Sequence, residues 1–207
     1  EEIPLARDYL EKLDTIALFQ LIKLKDTVHA IQGNAVTFRQ KKYRIIVREI
    51  NRLLDIDDIE SAKPLIMQLY EDKANFDLVS QGYLAFWLMT IQKYSEALEI
   101  FDHLEKEYQD SEERLLNMLN NKAYCYFYMG NLKKAKQITT EILSEKPEDP
   151  NFNDSHGEIL AALDQHQEAI KYFQKALQSR EWQNFRHHTL VKLSASYNAL
   201  QQKDKAL

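Results

Sequence analysis

The side chains of this chain that could do chemistry are one cysteine, six histidines and a surplus of carboxylates, 32 Asp and Glu against 27 Lys and Arg. A thiol nucleophile needs a base or cation beside it, and a metal needs ligands converging from shared faces. Cys125 stands instead in the apolar stretch from Tyr124 to Met129, a place for a small buried side chain, and as a lone cysteine it forms no intrachain disulfide. His156 and His166 fall on different expected helices, and His187 and His188 are neighbours that should point apart on a helix. The histidines therefore read as surface residues near helix ends, and none pairs with an acid at the one-turn spacing of a metal ligand set. The acid pairs Asp57-Asp58 and Glu112-Glu113 are adjacent and do not create the opposed geometry of acid/base catalysis. The sequence has no phosphate-cradling glycine loop, nucleophile elbow or paired-cysteine motif. The expectation is a non-enzyme with no catalytic residue, no cofactor and no metal.

One stretch carries concentrated charge. Arg39, Lys41, Lys42, Arg44, Arg48 and Arg52 stand against a single Glu49, and the spacing of Lys41, Arg44, Arg48 and Arg52 places them on one helical face. Tyr43, Ile46, Val47, Ile50 and Leu53 line the opposite face. Such a stripe is a possible contact for an anionic partner, a phosphate backbone or an acidic lipid surface. The heavier reading is a solvated face paired with Asp55, Asp57, Asp58 and Glu60, because charge runs usually lie in water. Nucleic acid and membrane surfaces are disfavoured as partners: the formal net charge is -5, and no exposed aromatics interleave with the bases.

The elements around these residues are helical. Four Gly and four Pro among 207 residues leave few breakers, and a 44% hydrophobic share suffices for a continuous core. No apolar run reaches the length of about 18 residues expected of a spanning helix, and no basic-then-apolar leader opens the sequence. The absence of disulfides favours the cytoplasm over the periplasm or export.

Small residues repeat at fixed offsets. Ala123, Tyr126 and Ala135 map onto Gly157, Leu160 and Ala169 at an offset of 34; Leu84, Ala85 and Ala97 give the pattern 38 residues earlier, and Leu190, Ser194 and Tyr197 give it 37 later. A period of this length marks a stacked helical solenoid, in which small residues sit where helices come closest. The strings YMGNLKKA, DQHQEAIKYFQKAL and TIQKYSEALEIF resemble tetratricopeptide repeats over roughly residues 78 to 207. Three features depart from the family pattern: Lys122 replaces an apolar residue, Thr139 replaces an aromatic one, and only one unit keeps its exit proline, Pro147.

The resemblance implies an all-α fold, a right-handed superhelical solenoid of antiparallel helix pairs. Residues 1–34 are expected to form an N-terminal capping or linking helix, 35–77 a degenerate helix pair with the basic stripe, and 78–207 the repeats, the last of them truncated. Because the chain starts at Glu1 and stops where the last unit's second helix should begin, a fragment of a longer polypeptide is expected.

The resemblance further implies a concave groove lined by the first helices of successive units. By register it would present Phe86 and Met89, then Asn117, Asn120, Tyr124, Phe127 and Tyr128, then Asp154 and Glu158. One end would be aromatic and amide-rich, the other acidic. The implied partner is a protein or peptide, extended, with apolar anchors and a basic residue. The Lys/Arg clamp with which some family members hold chaperone C-termini is missing, since Phe86, Tyr124 and Glu158 occupy its places. The expected function is a protein-protein interaction scaffold. The alternative is the sensing or substrate-recognition portion of a larger transcription regulator, sensor kinase or glycosyltransferase.

Overall fold

The computed structural model describes residues 41–108 and 111–200. Among these, the helices are α1 (Lys41–Asp55), α2 (Ile59–Glu71), α3 (Leu78–Thr90), α4 (Tyr94–Glu107), α5 (Glu112–Tyr128), α6 (Leu132–Glu145), α7 (Pro150–Ala162), α8 (His166–Gln178) and α9 (Arg186–Ala199). Short 3-10 turns lie at Lys73–Asn75 and Arg180–Phe185, and no strand occurs among the described residues. The all-α helix-pair fold read from the repeats is the fold observed. The expected helix in 1–34 and the truncated end of the last unit lie outside the described residues.

Two compact units divide the chain, the first closing at Gln92 and the second opening at Lys93. In the first, α1 buries Tyr43, Val47, Ile50, Leu53 and Leu54, and α2 buries Ala62, Ile66 and Leu69. The Tyr43 ring meets Phe76 edge-on at 4.8 Å, and its hydroxyl donates to Asp72 Oδ2 at 3.0 Å.

In the second unit each helix from α4 to α9 packs on the next, and α7 also touches α5 and α9. Leu116, Ala123, Ala135, Ile138, Ile142, Phe152 and Ile159 form one buried cluster, and Leu160, Ala169 and Phe173 another. The small residues of the repeat are explained at Gly157, where an added Cβ would stand 2.7 Å from Phe173 Cε1. Even alanine overlaps that ring.

Both substitutions that depart from the family pattern have local answers. Lys122 keeps only 12% of its side chain exposed and binds Asp102 at 2.8 Å and Glu105 at 2.5 Å, both on α4. Thr139 holds the place that Phe173 holds one repeat later, and its Oγ1 lies 2.7 Å from His156 Nδ1, whose ring packs against Tyr172.

Four helix starts are capped by side chains: Asp58, Asp77, Asn131 and Asp149 each accept a backbone N–H of the first turn. Helix ends share a different device. Asp57, Gln92, Gly130 and Asp164 all have φ near the left-handed region, at 62°, 60°, 80° and 59°. Asp58, Asn131 and Gln165, each following such a residue, donate back to Leu53, Tyr126 and Leu160 at 2.8 to 2.9 Å, satisfying carbonyls that the helix leaves open.

Candidate functional site

The inner faces of α5, α7 and α9 meet in a buried polar ladder. Tyr124 of α5, Glu158 of α7 and Lys192 of α9 follow one another at intervals of one repeat and are bonded in series. The Tyr124 hydroxyl donates to Glu158 Oε2 at 2.9 Å, and Lys192 Nζ reaches the same oxygen at 2.7 Å. Lys192 Nζ also binds Asp154 Oδ2 at 2.5 Å. Thr189, one turn before Lys192, donates to Asp154 Oδ1 at 2.8 Å and accepts from Trp182 Nε1 at 2.7 Å. Ser155 Oγ lies 3.1 Å from the Tyr124 hydroxyl.

All three charges are taken out of water: Lys192 is 4% exposed, Asp154 5% and Glu158 6%. Burying them costs several kcal/mol per ion, and they persist only because each is paired and hydrogen-bonded. Burial alone would lower the Lys192 ammonium, but the two carboxylates outweigh it and hold it above the usual lysine range. Tyr124 is driven well above the usual phenol range, by burial first and by the Glu158 carboxylate second, so it remains a donor. The acidic end expected of the groove is therefore corrected. Asp154 and Glu158 are there, but both are buried and share the chain's own Lys192 ammonium.

The aromatic end has a different character. Tyr128 stacks on Tyr94 at 5.4 Å and on Tyr124 at 6.1 Å, while Phe127 meets Tyr128 edge-on at 5.1 Å. Tyr124 is buried, Phe127 and Tyr128 are half-buried, with Phe127 packed against the core cluster and burial holding the Tyr128 hydroxyl above the usual phenol range, and Met129 beside them is 50% exposed. Asn117 is exposed; Asn120 is buried, and its Oδ1 has no hydrogen-bond partner among the described residues. In the first unit, Phe86 and Met89 sit half-buried on α3.

The basic stripe on α1 is partly claimed. Arg52 forks onto Glu49 at 2.9 and 2.6 Å, and Lys42 reaches Asp72 at 3.5 Å. Arg44 and Arg48 are exposed and hold no acid among the described residues. Lys41 opens the helix. The acids hydrogen-bonded to the stripe are Glu49 and Asp72, and Asp58 of the run that the sequence suggested adds an electrostatic attraction to Arg52. Asp58 from that run caps α2.

The histidines also differ from expectation. His156 and His188 are buried, at 4% and 8% exposure, and are not surface residues. The rings of His187 and His188 do not point apart but meet at 3.8 Å, because their backbone opens α9 directly from the 3-10 turn. Burial first, and Lys136 second, lower His156 to about 4, so it is neutral. Burial pushes the Cys125 thiol up to about 12, which removes it as a nucleophile near neutrality. Among the described residues no group of His, Cys, Asp and Glu is placed to hold a metal, and no helix is long and apolar enough to cross a membrane.

Sequence reasoning missed Lys192, Thr189, Trp182 and Ser155. A signal existed: stepping on from Tyr124 and Glu158 by the same interval of 34 arrives at Lys192. Aligning the last unit by its small residue Ser194 instead shifted the register by three and hid the ladder.

The tetratricopeptide repeat family model matches residues 116–149 and 153–181. These spans cover α5 with α6, and α7 with α8. Among solved structures, the chain is similar to MamA (41-end) from Desulfovibrio magneticus RS-1, with a TM-score of 0.54 and 16% identity over 81% of this chain and 90% of that one. It is also similar to BtubC (BKLC) from P. vanneervenii, with a TM-score of 0.56 and 15% identity over 93% of this chain and 87% of that one. At these identities the likeness is one of fold alone. No curated protein matches the sequence.

Proposed function

We propose that this chain, whose residues 116–149 and 153–181 match the tetratricopeptide repeat family, is a protein-protein interaction scaffold whose second unit receives an extended partner segment along the inner faces of α5 and α7. The observation that carries this reading is the contrast in accessibility along α5. Tyr124 is fixed by hydrogen bonds beneath the surface, while Phe127 and Tyr128 are only half-buried and Asn117 stays exposed a few turns before them. Partly open aromatic rings supply contact area at low entropy cost, and an asparagine amide can bind the backbone of an extended chain.

In this reading Phe127 and Tyr128 seat the partner's apolar anchors and Asn117 binds its main chain. Asn120, Tyr124, Asp154 and Glu158 form the floor beneath. The floor's carboxylates already hold Lys192, so the partner's basic residue has no open anion on α7 and the apolar anchors carry the affinity. Phe86 and Met89 hold the equivalent register on α3 and are the contacts this reading assigns to the first unit by itself. The chaperone-tail clamp has no counterpart: Tyr124 and Glu158 occupy two of its places and bond to each other.

Asn117→Arg tests the groove without disturbing the core, since the position is exposed. A partner captured by the parent protein and identified should bind the variant at least about tenfold more weakly, the loss of one well-placed interface contact. Helical content by circular dichroism should be unchanged. Equal affinity for parent and variant, measured by calorimetry with the identified partner segment, would remove the groove from the account.

A further inference from the structure

The first unit offers a surface that the groove reading does not use. On α1 the buried side is Tyr43, Val47, Ile50, Leu53 and Leu54, and the outward side carries Arg44, Ile45 and Arg48 together. Arg44 and Arg48 are one helical turn apart, so their side chains emerge about 6 Å from each other. Ile45, 58% exposed, lies beside them. The cations flanking this group, Lys42 and Arg52, are already satisfied by Asp72 and Glu49. Two guanidinium groups without an acid among the described residues therefore border an uncovered branched apolar side chain.

We propose that the Arg44, Ile45 and Arg48 face of α1 is a docking surface for an acidic amphipathic helix of a protein partner. That helix would present two carboxylates one turn apart, with an aliphatic side chain adjacent to them. Charge complementarity argues for carboxylates. The planar guanidinium fork matches a carboxylate with two parallel hydrogen bonds, and Arg52 makes that contact with Glu49 on this same helix. The one-turn spacing of the two arginines is repeated by Glu residues four apart on a facing helix. Ile45 supplies the apolar contact that a phosphate backbone would not use.

The same observations weigh against the other polyanions. Duplex DNA binders commonly neutralise about six to ten phosphates, and polybasic membrane segments use about four to eight cations. Among the described side chains of α1 only Arg44 and Arg48 lack an acid, fewer cations than either kind of polyanion binder uses. The surface is exposed, so its substitution leaves the core of α1 intact.

The test uses the full chain and a synthetic helical peptide repeating Glu-Ala-Ala-Leu, with Gln-Ala-Ala-Leu as the uncharged control, followed by fluorescence anisotropy. The parent protein should bind the Glu peptide saturably and the Gln peptide far more weakly. Arg44→Gln with Arg48→Gln should weaken Glu-peptide binding by about threefold to tenfold, the range for two exposed ion pairs. Ile45→Ala should weaken it less, and Asn117→Arg should leave it unchanged, which separates this surface from the groove. The proposal is overturned if the parent does not bind the Glu peptide, or if the double arginine variant binds it equally with unaltered circular dichroism. It is equally overturned if duplex DNA or phosphatidylserine vesicles bind more tightly than the peptide, or if Asn117→Arg abolishes binding.

Discussion

Tyr124 and Glu158 occupy the same position in consecutive repeats, and the helices that carry them use that position in opposite ways. On α5 it begins an aromatic run whose later members, Phe127 and Tyr128, stay partly open. On α7 it belongs to a closed polar interior, where Asp154 and Glu158 are turned onto Lys192 and the corresponding later residues are Ala161 and Ala162. One repeat architecture thus gives a half-buried aromatic face next to a closed polar one. The hydrogen bond from Tyr124 to Glu158 joins them, so the aromatic face rests on the polar one.

The largest perturbation of this contrast is removal of the ammonium. Lys192→Met takes away the buried cation that Asp154 and Glu158 share and should cost about 3 to 5 kcal/mol of unfolding free energy, read from urea denaturation. A loss below about 1 kcal/mol would mean that the ladder does not hold α7 to α9. The link between the faces is tested more gently by Tyr124→Phe, which removes the hydroxyl shared with Glu158 and Ser155 while keeping the ring. It should cost about 1 to 2 kcal/mol, since Glu158 retains Lys192. No change in the denaturation midpoint would show the two faces to be independent.

The other side of α7 gives the most selective effect. His156 is held neutral, lowered from 6.5 to about 4 by burial and then by Lys136, with Thr139 at its Nδ1 and the Tyr172 ring beside it. Between those two values the unfolded chain binds the proton and the folded chain does not. Stability must therefore fall as pH is lowered from about 6.5 towards about 4. His156→Gln should flatten this part of the stability profile relative to the parent while carboxylate titration remains common to both. Parallel profiles would remove His156 as the source.

What was legible in the sequence follows from what periodicity can encode. Ala123, Ala135, Gly157 and Ala169 mark close approaches between helices, and such sites tolerate few residue types, so the helix pairs could be read directly. Lys122 and Lys192 were harder, because a lysine's sequence position says nothing of whether it ends in water or on a carboxylate from another helix. Lys122 meets acids on the preceding helix, Lys192 acids on a helix one repeat away, and those pairings exist only in three dimensions. The same limit applied to the arginines of α1, where Glu49 and Asp72 decide which charges are already matched. Phe127 and Tyr128 could be placed on one face by register, yet the stacking of Tyr94 from α4 on Tyr128 exists only in three dimensions.

The left-handed residues that follow α1, α3, α5 and α7 have a consequence for how such a chain can change. Glycine fills one of these four positions; the others are Asp57, Gln92 and Asp164. A side chain in this backbone region costs about 1 to 2 kcal/mol, partly offset by the greater freedom glycine has in the unfolded chain. The array thus sits somewhat below the stability its architecture permits, and the shortfall is distributed over separate turns. Stability can then be raised or lowered one connection at a time, at positions that lie on none of the helix faces assigned to a partner. A repeat protein built this way can alter what it binds and how firmly it is folded as two separate evolutionary variables.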